Sequence, residues 1–269
     1  MLVSVVCPAY NCDKFLGKTL DSILNQTLSD LEVLVVDDCS TDSTYKIAKE
    51  YEEKDNRVKV FHNETNQGAA FSRNLAISKA SGDFVAFLDG DDLWLPTKLE
   101  EQIAFMEQKH CDFSYTSYTI IDDGGNPLGK LRTGPKVITH KGFLRYNYAG
   151  CLTVMYRRAI FPNLSIPNTI MKRNDYALWL RLSEHCNCHL FSKALSMYRV
   201  HGGSLSSGNK AKIFKRNAEM FQKLYSYGAT KAYFFGLRNV AFWFFRKLRY
   251  EKKVSKQAQP ENRLDASSL

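Results

Sequence analysis

Phe84-Val85-Ala86-Phe87-Leu88-Asp89-Gly90-Asp91-Asp92 decides how this chain is read. Five apolar residues, rich in aromatic and branched side chains and bounded by Gly82 and Gly90, read as a buried strand of a parallel sheet. Carboxylates appear where that strand ends, and in open α/β sheets ligands bind at this edge. Asp89 and Asp91 lie two apart, so in extended geometry both carboxylates project to one side and can share a ligand or a hard cation such as Mg²⁺ or Mn²⁺. Gly90 leaves the backbone free to turn between them. Taken alone, the acidic cluster reads equally well as a turn before the next helix, so the surroundings decide.

Upstream, the pattern repeats. Val3-Ser4-Val5-Val6-Cys7 is a short β-type run, ended by Pro8 because proline cannot donate to a ladder. Asp13 reads as the cap of a helix carrying Leu16, Leu20, Ile23 and Leu24 at helical spacing. Residues 31–36 form the next strand, again ending in acids at Asp37 and Asp38. Thr41-Asp42-Ser43 opens a second helix, residues 58–61 make a third strand, and the polar loop Asn66-Gln67-Gly68 leads into a helix with Phe71, Leu75 and Ala76 on one side. This alternation predicts a doubly wound, Rossmann-like α/β fold with a mostly parallel sheet flanked by helices. The chain has no Gly-x-Gly-x-x-Gly after its first strand and no Gly-Lys-Ser/Thr loop, which argues against a dinucleotide oxidoreductase and a P-loop nucleotidase. Acidic strand ends with Tyr10, Asn11 and Arg73 can meet a base, a ribose and phosphates without a glycine cradle. Further on, Pro96 is expected at the first position of a helix running to about Lys109. Residues 111–121 read as a strand, 122–127 as a turn, 151–156 as a strand, and 164–174 as a mobile loop leading into a helix at Asp175.

A chain of 269 residues with 44% apolar and 24% charged content suits one main globular domain plus an extension. No apolar stretch is long enough to span a bilayer, and Met1 runs directly into a strand, so a cytoplasmic location is expected. Seven scattered cysteines do not resemble a disulfide framework and are expected to be reduced and mostly buried. The sequons at Asn25, Asn63 and Asn163 then carry no weight. The net charge of +9 is unevenly placed: residues 1–209 hold 23 Lys or Arg against 24 Asp or Glu, whereas residues 210–269 hold 14 against 4. A near-neutral body at 1–206, a helical basic and aromatic extension at 207–253 and a polar, disordered tail at 254–269 follow. Such an extension meets anionic lipid, nucleic acid or an acidic partner.

Val3 through Asn11, Val35 through Thr44, Asn66-Gln67-Gly68 with Ser72-Arg73-Asn74, and Asp89-Gly90-Asp91-Asp92, in this order and spacing, together resemble the family 2 glycosyltransferases of GT-A fold. The resemblance covers roughly residues 2–206. It implies a nucleotide-sugar donor, usually a UDP-sugar, transfer with inversion, and a divalent cation, Mn²⁺ or Mg²⁺. Carried onto this chain, it places Pro8, Ala9, Tyr10 and Asp38 around the base, with Asn11 and Gly90 in the same donor pocket. Arg73 would approach the nucleotide, Asp89 the ribose and Asp91 the metal. Asp92 either assists or caps the turn before Leu93 and Trp94.

Arg173-Asn174-Asp175-Tyr176-Ala177-Leu178-Trp179-Leu180-Arg181-Leu182 is the second key segment. Its residues alone suggest that Asp175 is an N-cap. The resemblance implies instead that Asp175 is the general base, and Asn174 stands where many relatives have Glu. Tyr198 through Ser206 resembles the family element Arg-x-His-x-x-Ser-x-Ser, which closes over the diphosphate. His201 would there join the metal, the plain alternative being a structural hydrogen bond. In His185-Cys186-Asn187-Cys188-His189, adjacent ligands do not easily wrap one tetrahedral ion, so alternation into a strand is expected rather than zinc.

The aromatic and basic segment 231–253 either lies in a membrane interface or packs as a core helix or homodimer contact. The expectation is therefore a metal-dependent inverting glycosyltransferase, cytoplasmic or peripheral at the inner face of the membrane. Its acceptor would be a saccharide, free or lipid-linked, in capsule or O-antigen assembly. The rival readings are a non-catalytic nucleotide-sugar-binding or scaffold protein and, from the basic extension alone, a nucleic-acid binder; no nucleic-acid partner is expected.

Overall fold

The computed structural model describes residues 1–201 and 210–254. Its first half alternates as the sequence predicts: β1 (Val3–Ala9), α1 (Asp13–Leu24), β2 (Leu31–Asp37), α2 (Thr44–Lys54), β3 (Val58–His62), α3 (Ala69–Lys79) and β4 (Phe84–Phe87). The second half continues with β5 (Leu93–Trp94), α4 (Lys98–Lys109), β6 (Phe113–Ile121), β7 (Pro127–Arg132), β8 (Val137–Ile138), α5 (His140–Arg145), β9 (Val154–Arg157), α6 (Asn174–Leu182), β10 (Cys188–Arg199), α7 (Lys210–Tyr225), α8 (Ala229–Tyr250) and β11 (Glu251–Lys253). The main sheet runs β11-β7-β6-β9-β4-β1-β2-β3, with β10 paired to β5, β6 and β8. The quartet β4-β1-β2-β3 is parallel, and β9 joins β4 and β6 in antiparallel fashion.

Strand alternation sorts the core into two layers. Val5 and Cys7, Val33 and Val35, and Phe84 and Ala86 face one side with α1 and α4. Val6, Leu34, Val36, Val85 and Phe87 face the other, with α3, α6 and the α7–α8 hairpin. Continuous burial of β1, β2 and β4 is what parallel strands covered on both faces require. Parallel register also sets Ala9 beside Asp37 and Val6 beside Phe87, so the acidic strand ends share one edge.

Several local expectations need correction. β1 does not stop at Pro8 but runs to Ala9. In a parallel strand a residue's N–H and C=O face the same neighbour; the Pro8 carbonyl accepts from Gly90 N, and β4 has already ended there at Phe87, so the missing donor removes no ladder bond. Asp13 is the first residue of α1 rather than its cap, which is Cys12. Pro96 stands two residues before α4, whose cap is Thr97. The segment 164–174 is irregular, but Leu164, Ile166 and Ile170 are buried and Asn74 bonds both backbone groups of Ile166. The turn at 122–126 forms as expected, yet the strand after it, β7, was not foreseen; it pairs with β6 on one side and β11 on the other.

All seven cysteines are free, five of them buried. Of the strand expected at 185–189 only Cys188 and His189 belong to β10; residues 185–187 turn out of α6, with the His185 ring 4.7 Å from that of Phe161. The aromatic extension packs on the body through one face: Met220, Phe221 and Ala232 join the core around Tyr176 and Trp179. Of the tail expected at 254–269, Val254 donates to the Gly129 carbonyl, and residues 255–269 lie outside the described residues.

Candidate active site

The carboxyl ends of β1, β2 and β4 and the amino end of α6 meet at one cleft. Among the described residues, three of the five non-glycine residues with left-handed backbone sit on this edge: Asn11 (φ 46) after β1, Cys39 (φ 61) after β2 and Arg173 (φ 63) before α6. Backbone strain of this kind collects at functional sites.

At β4, Asp89 is one-third exposed and accepts a charge-assisted bond from Arg73 Nη2. Arg73 rises from α3, nearly fully buried, and its Nη1 donates to Asn174 Oδ1 at the start of α6. One guanidinium therefore ties the acidic strand end to the helix that carries Asp175. Burial works against the Arg73 charge, but the carboxylates of Asp89 and Asp175 raise its pKa and hold it cationic. Cys151 lies against the same pair, its Sγ 3.6 Å from Arg73 Nη2 and 3.7 Å from Asp89 Oδ1, and burial pushes its thiol well up.

Gly90 is needed for space rather than for φ. A Cβ there would stand 2.7 Å from Cys12 Sγ and 3.6 Å from the Pro8 carbonyl oxygen. Beyond it, Asp91 Oδ2 pairs with His201 Nε2 at 2.8 Å. Burial first, and the neighbouring Asp89 charge second, push the Asp91 carboxyl above its ordinary value, while His201 pulls the other way. Asp92 behaves differently. It is buried, its Oδ1 accepts from Arg199 N at 2.9 Å, and its backbone carbonyl accepts from Thr19. It clamps the end of β10 instead of capping the turn before Leu93.

Arg199, quoted in the sequence motif but given no role there, is a second buried organiser. Its Nε donates to the Asp91 carbonyl at 2.8 Å, its Nη1 to the carbonyls of Asp122 and Asp123, and its guanidinium lies 4.9 Å from the Phe15 ring centre. His201 is the last described residue of its motif; Gly202 through Ser206 lie outside the described residues.

The nucleotide-side residues divide in two. Tyr10 is half exposed at the end of β1, beside partly buried Pro8 and buried Ala9. Asn11 is exposed and Asp38 buried, but both are engaged by the neighbouring loops. Asn11 Oδ1 accepts from Thr41 N and its own N–H donates to Ser40 Oγ, stitching the β1 and β2 loops together. Asp38 is 4% exposed and accepts from Asn63 Nδ2, Gln67 N and Gly68 N, so it shapes the 63–68 loop.

Asp175 is the second residue of α6, and Arg173 holds the cap position without a side-chain bond, so the N-cap alternative does not describe it. Its partly buried carboxylate takes one long bond, 3.4 Å, from Asn147 Nδ2. Sequence reasoning had no signal for Asn147, which sits on an irregular stretch far from every motif.

Among the described residues no group of three or more His, Cys, Asp or Glu side chains is gathered for a metal. Asp91 and His201 set two candidate donor groups side by side. That suits a cation held by one or two protein groups and completed by substrate phosphates and water, and the crowding that raises the Asp91 pKa is the kind a cation relieves.

The model of the family described as glycosyl transferase family 2 matches residues 4–165. The putative teichuronic acid biosynthesis glycosyltransferase TuaG of Bacillus subtilis is 39% identical over 224 residues, covering 83% of this chain and 88% of that protein. WfaP of Escherichia coli, a UDP-Glc:α-D-GlcNAc-diphosphoundecaprenol β-1,3-glucosyltransferase, is 37% identical over 224 residues, covering 83% of this chain and 86% of its own. Among solved structures, S. aureus TarS 1–349 in complex with UDP superposes with a TM-score of 0.66 at 24% identity, over 93% of this chain and 72% of that one. The mannosyltransferase PcManGT of Pyrobaculum calidifontis, in complex with GDP-Man and Mn²⁺, gives 0.62 at 18% identity, over 91% of this chain and 74% of its own. These two structures bear on the fold alone.

Proposed function

The chain belongs to glycosyl transferase family 2 and is a glycosyltransferase, and on that premise we propose that it moves a sugar from a UDP-sugar, with inversion, to a hydroxyl of a lipid-linked saccharide at the cytoplasmic face of a membrane. The observation that carries this reading is the Arg73 bridge. The Arg73 guanidinium holds a strand-end carboxylate and the first turn of α6 together, so the donor's ribose side and the base sit in one rigid unit. The UDP preference and the lipid-linked acceptor are supported by WfaP, whose name specifies both.

In this mechanism Tyr10 stacks on the base and Asp89 accepts from the ribose. Asp91 and His201 would hold a divalent cation, which would supply positive charge against that developing on the leaving diphosphate. Asp175 takes the proton of the acceptor hydroxyl as its oxygen bonds to the anomeric carbon; the carbon–phosphate-oxygen bond breaks on the opposite side, and the nucleoside diphosphate leaves. Base help of this kind contributes ~10²–10⁴-fold.

The test is donor binding and product formation over a panel of UDP-, GDP- and dTDP-sugars, with Mn²⁺ or EDTA, for the wild type, Asp91→Ala and Asp175→Asn. We expect metal-dependent binding that Asp91→Ala loses, and unchanged binding with turnover lost in Asp175→Asn. Equal binding by Asp91→Ala in EDTA removes the cation assignment. Donor binding without consumption in the presence of acceptor lipid points instead to a binding or scaffold protein.

A further inference from the structure

α8 turns Asn239 and Arg246 toward the protein beside Ala232 and Gly236, and leaves a run of large apolar side chains facing out. On the inner side Asn239 is buried and bonds Tyr176 Oη, the Arg145 carbonyl and Asn217, while Arg238 donates to the Leu144 carbonyl. Gly236 lets α7 approach; a Cβ there would lie 3.2 Å from the Phe214 carbonyl oxygen. On the outer side stand Tyr233, Phe234, Leu237, Phe244, Phe245 and Leu248, between 49% and 82% exposed. At helical spacing these six fall within roughly 120° of arc and extend about 22 Å along the axis. The other exposed large apolar residues are scattered singly over the body. A contiguous apolar strip of this size marks an interaction surface.

The cations beside the strip indicate what covers it. Lys231 and Arg249 flank it on one side and Lys247 on the other, all exposed. At its far end Lys130, Lys247, Lys252 and Lys253 ring a groove of about 370 Å³ floored by Phe244 and Leu248. Among the described residues the one acid in that groove, Glu251, is paired with Arg132 and Arg246, which leaves the lysines to set the charge. No described helix is long and apolar enough to cross a membrane. An aromatic strip with cations on both borders, on a helix that cannot span, fits the plane of an anionic bilayer: rings in the acyl boundary, lysines at the phosphates.

We propose that the outer face of α8, with the lysine groove at its end, docks this protein on an anionic phospholipid bilayer. The inner face bonds Tyr176, the neighbour of Asp175, so docking sets the base helix at a defined height above the lipid surface. The proposal shares with the proposed function a membrane-borne acceptor. Its test contains neither donor nor acceptor, so the two fail separately.

The experiment is flotation of the full-length chain with vesicles of phosphatidylcholine alone or with about one-third phosphatidylglycerol, at low and high salt. The variants are Phe234→Ser/Phe245→Ser/Leu248→Ser and Lys247→Glu/Lys252→Glu/Lys253→Glu. All changed side chains are exposed, and melting curves check that folding is kept. The expected result is binding at least roughly tenfold tighter to the anionic vesicles, weakened by salt, and lowered tenfold or more in each variant. Wild-type protein that stays with the aqueous phase overturns the proposal, as does serine-variant protein that floats like wild type. Light scattering that shows a wild-type dimer, broken by the serine changes and without vesicle affinity, assigns the face to a second copy and also overturns it.

Discussion

Asp38 follows β2 and Asp91 follows β4 at the same edge of one parallel sheet, yet the two carboxylates are surrounded in opposite ways. Asp38 takes three N–H donors at 2.7–2.9 Å and is almost sealed from solvent. Asp91 retains 29% side-chain exposure, pairs with His201, and is crowded by Asp89 until its pKa rises. A carboxylate filled with donors builds a loop, whereas one crowded by like charge at a cleft keeps lone pairs for a ligand. An acidic strand end is thus not a ligand site by its sequence alone; the donors aimed at it decide.

The contrast breaks most plainly by exchanging losses between the two ends. Asp91→Ala should lower sugar transfer by at least ~10²-fold, the scale of removing a preorganised charge contact, with little change in melting temperature. Asp38→Ala should do the reverse. It removes the acceptor of three N–H groups, of which Asn63 Nδ2 and Gly68 N are buried, at a cost of about 2–4 kcal/mol, and melting should fall by roughly 5–10 °C, with a milder loss of transfer per folded molecule. If both variants lose activity at unchanged melting temperature, Asp38 contacts the donor directly and the division between the two ends is wrong.

A smaller effect is expected at Gly90. Alanine there forces a Cβ against Cys12 Sγ, and overpacking of this kind costs about 1–3 kcal/mol. Cys12→Ala in the same chain should restore much of the loss in a denaturant titration; no rescue would mean that Gly90 matters for backbone freedom instead.

The smallest effect concerns Glu32 on β2, another donor-filled carboxylate. Burial pushes its pKa up, but Lys59, Ser4 and Ser81 outweigh it and bring it from 4.5 down to about 2. A depressed folded-state pKa means stabilisation that is complete above pH 4.5 and is lost as pH falls toward about 2. The melting difference between wild type and Glu32→Gln should therefore be widest near neutrality and close over that interval. A difference that stays constant down to pH 2 would show that Glu32 is not held low by its partners.

Much of the site was legible before any coordinates. Arg73, Asp89, Asp91, Asp175 and His201 were all named from motif order, and the structure brings Arg73, Asp89 and the α6 terminus together and pairs Asp91 with His201. Asn147 was not legible, because its relation to Asp175 crosses 28 residues of irregular chain. Asp92 was misread as a cap because its partner, Arg199, lies 107 residues away. Strand β7 was missed because none of its residues is fully buried, so its short sequence carries little apolar signal.

The sequence by itself determined the parallel quartet, the edge on which the acids gather and the basic bias of the last sixty residues. Periodicity, strand-end composition and charge are local quantities, and each is readable within a short window. Only the tertiary structure decided which aspartates are saturated and which stay open, and which side of α8 faces outward. Those outcomes depend on donors and neighbours brought in from distant segments. Windows of sequence around Asp37-Asp38 and Asp89-Asp91 look alike, but Gln67, Gly68 and Asn63 reach only the first pair, and His201 only the second.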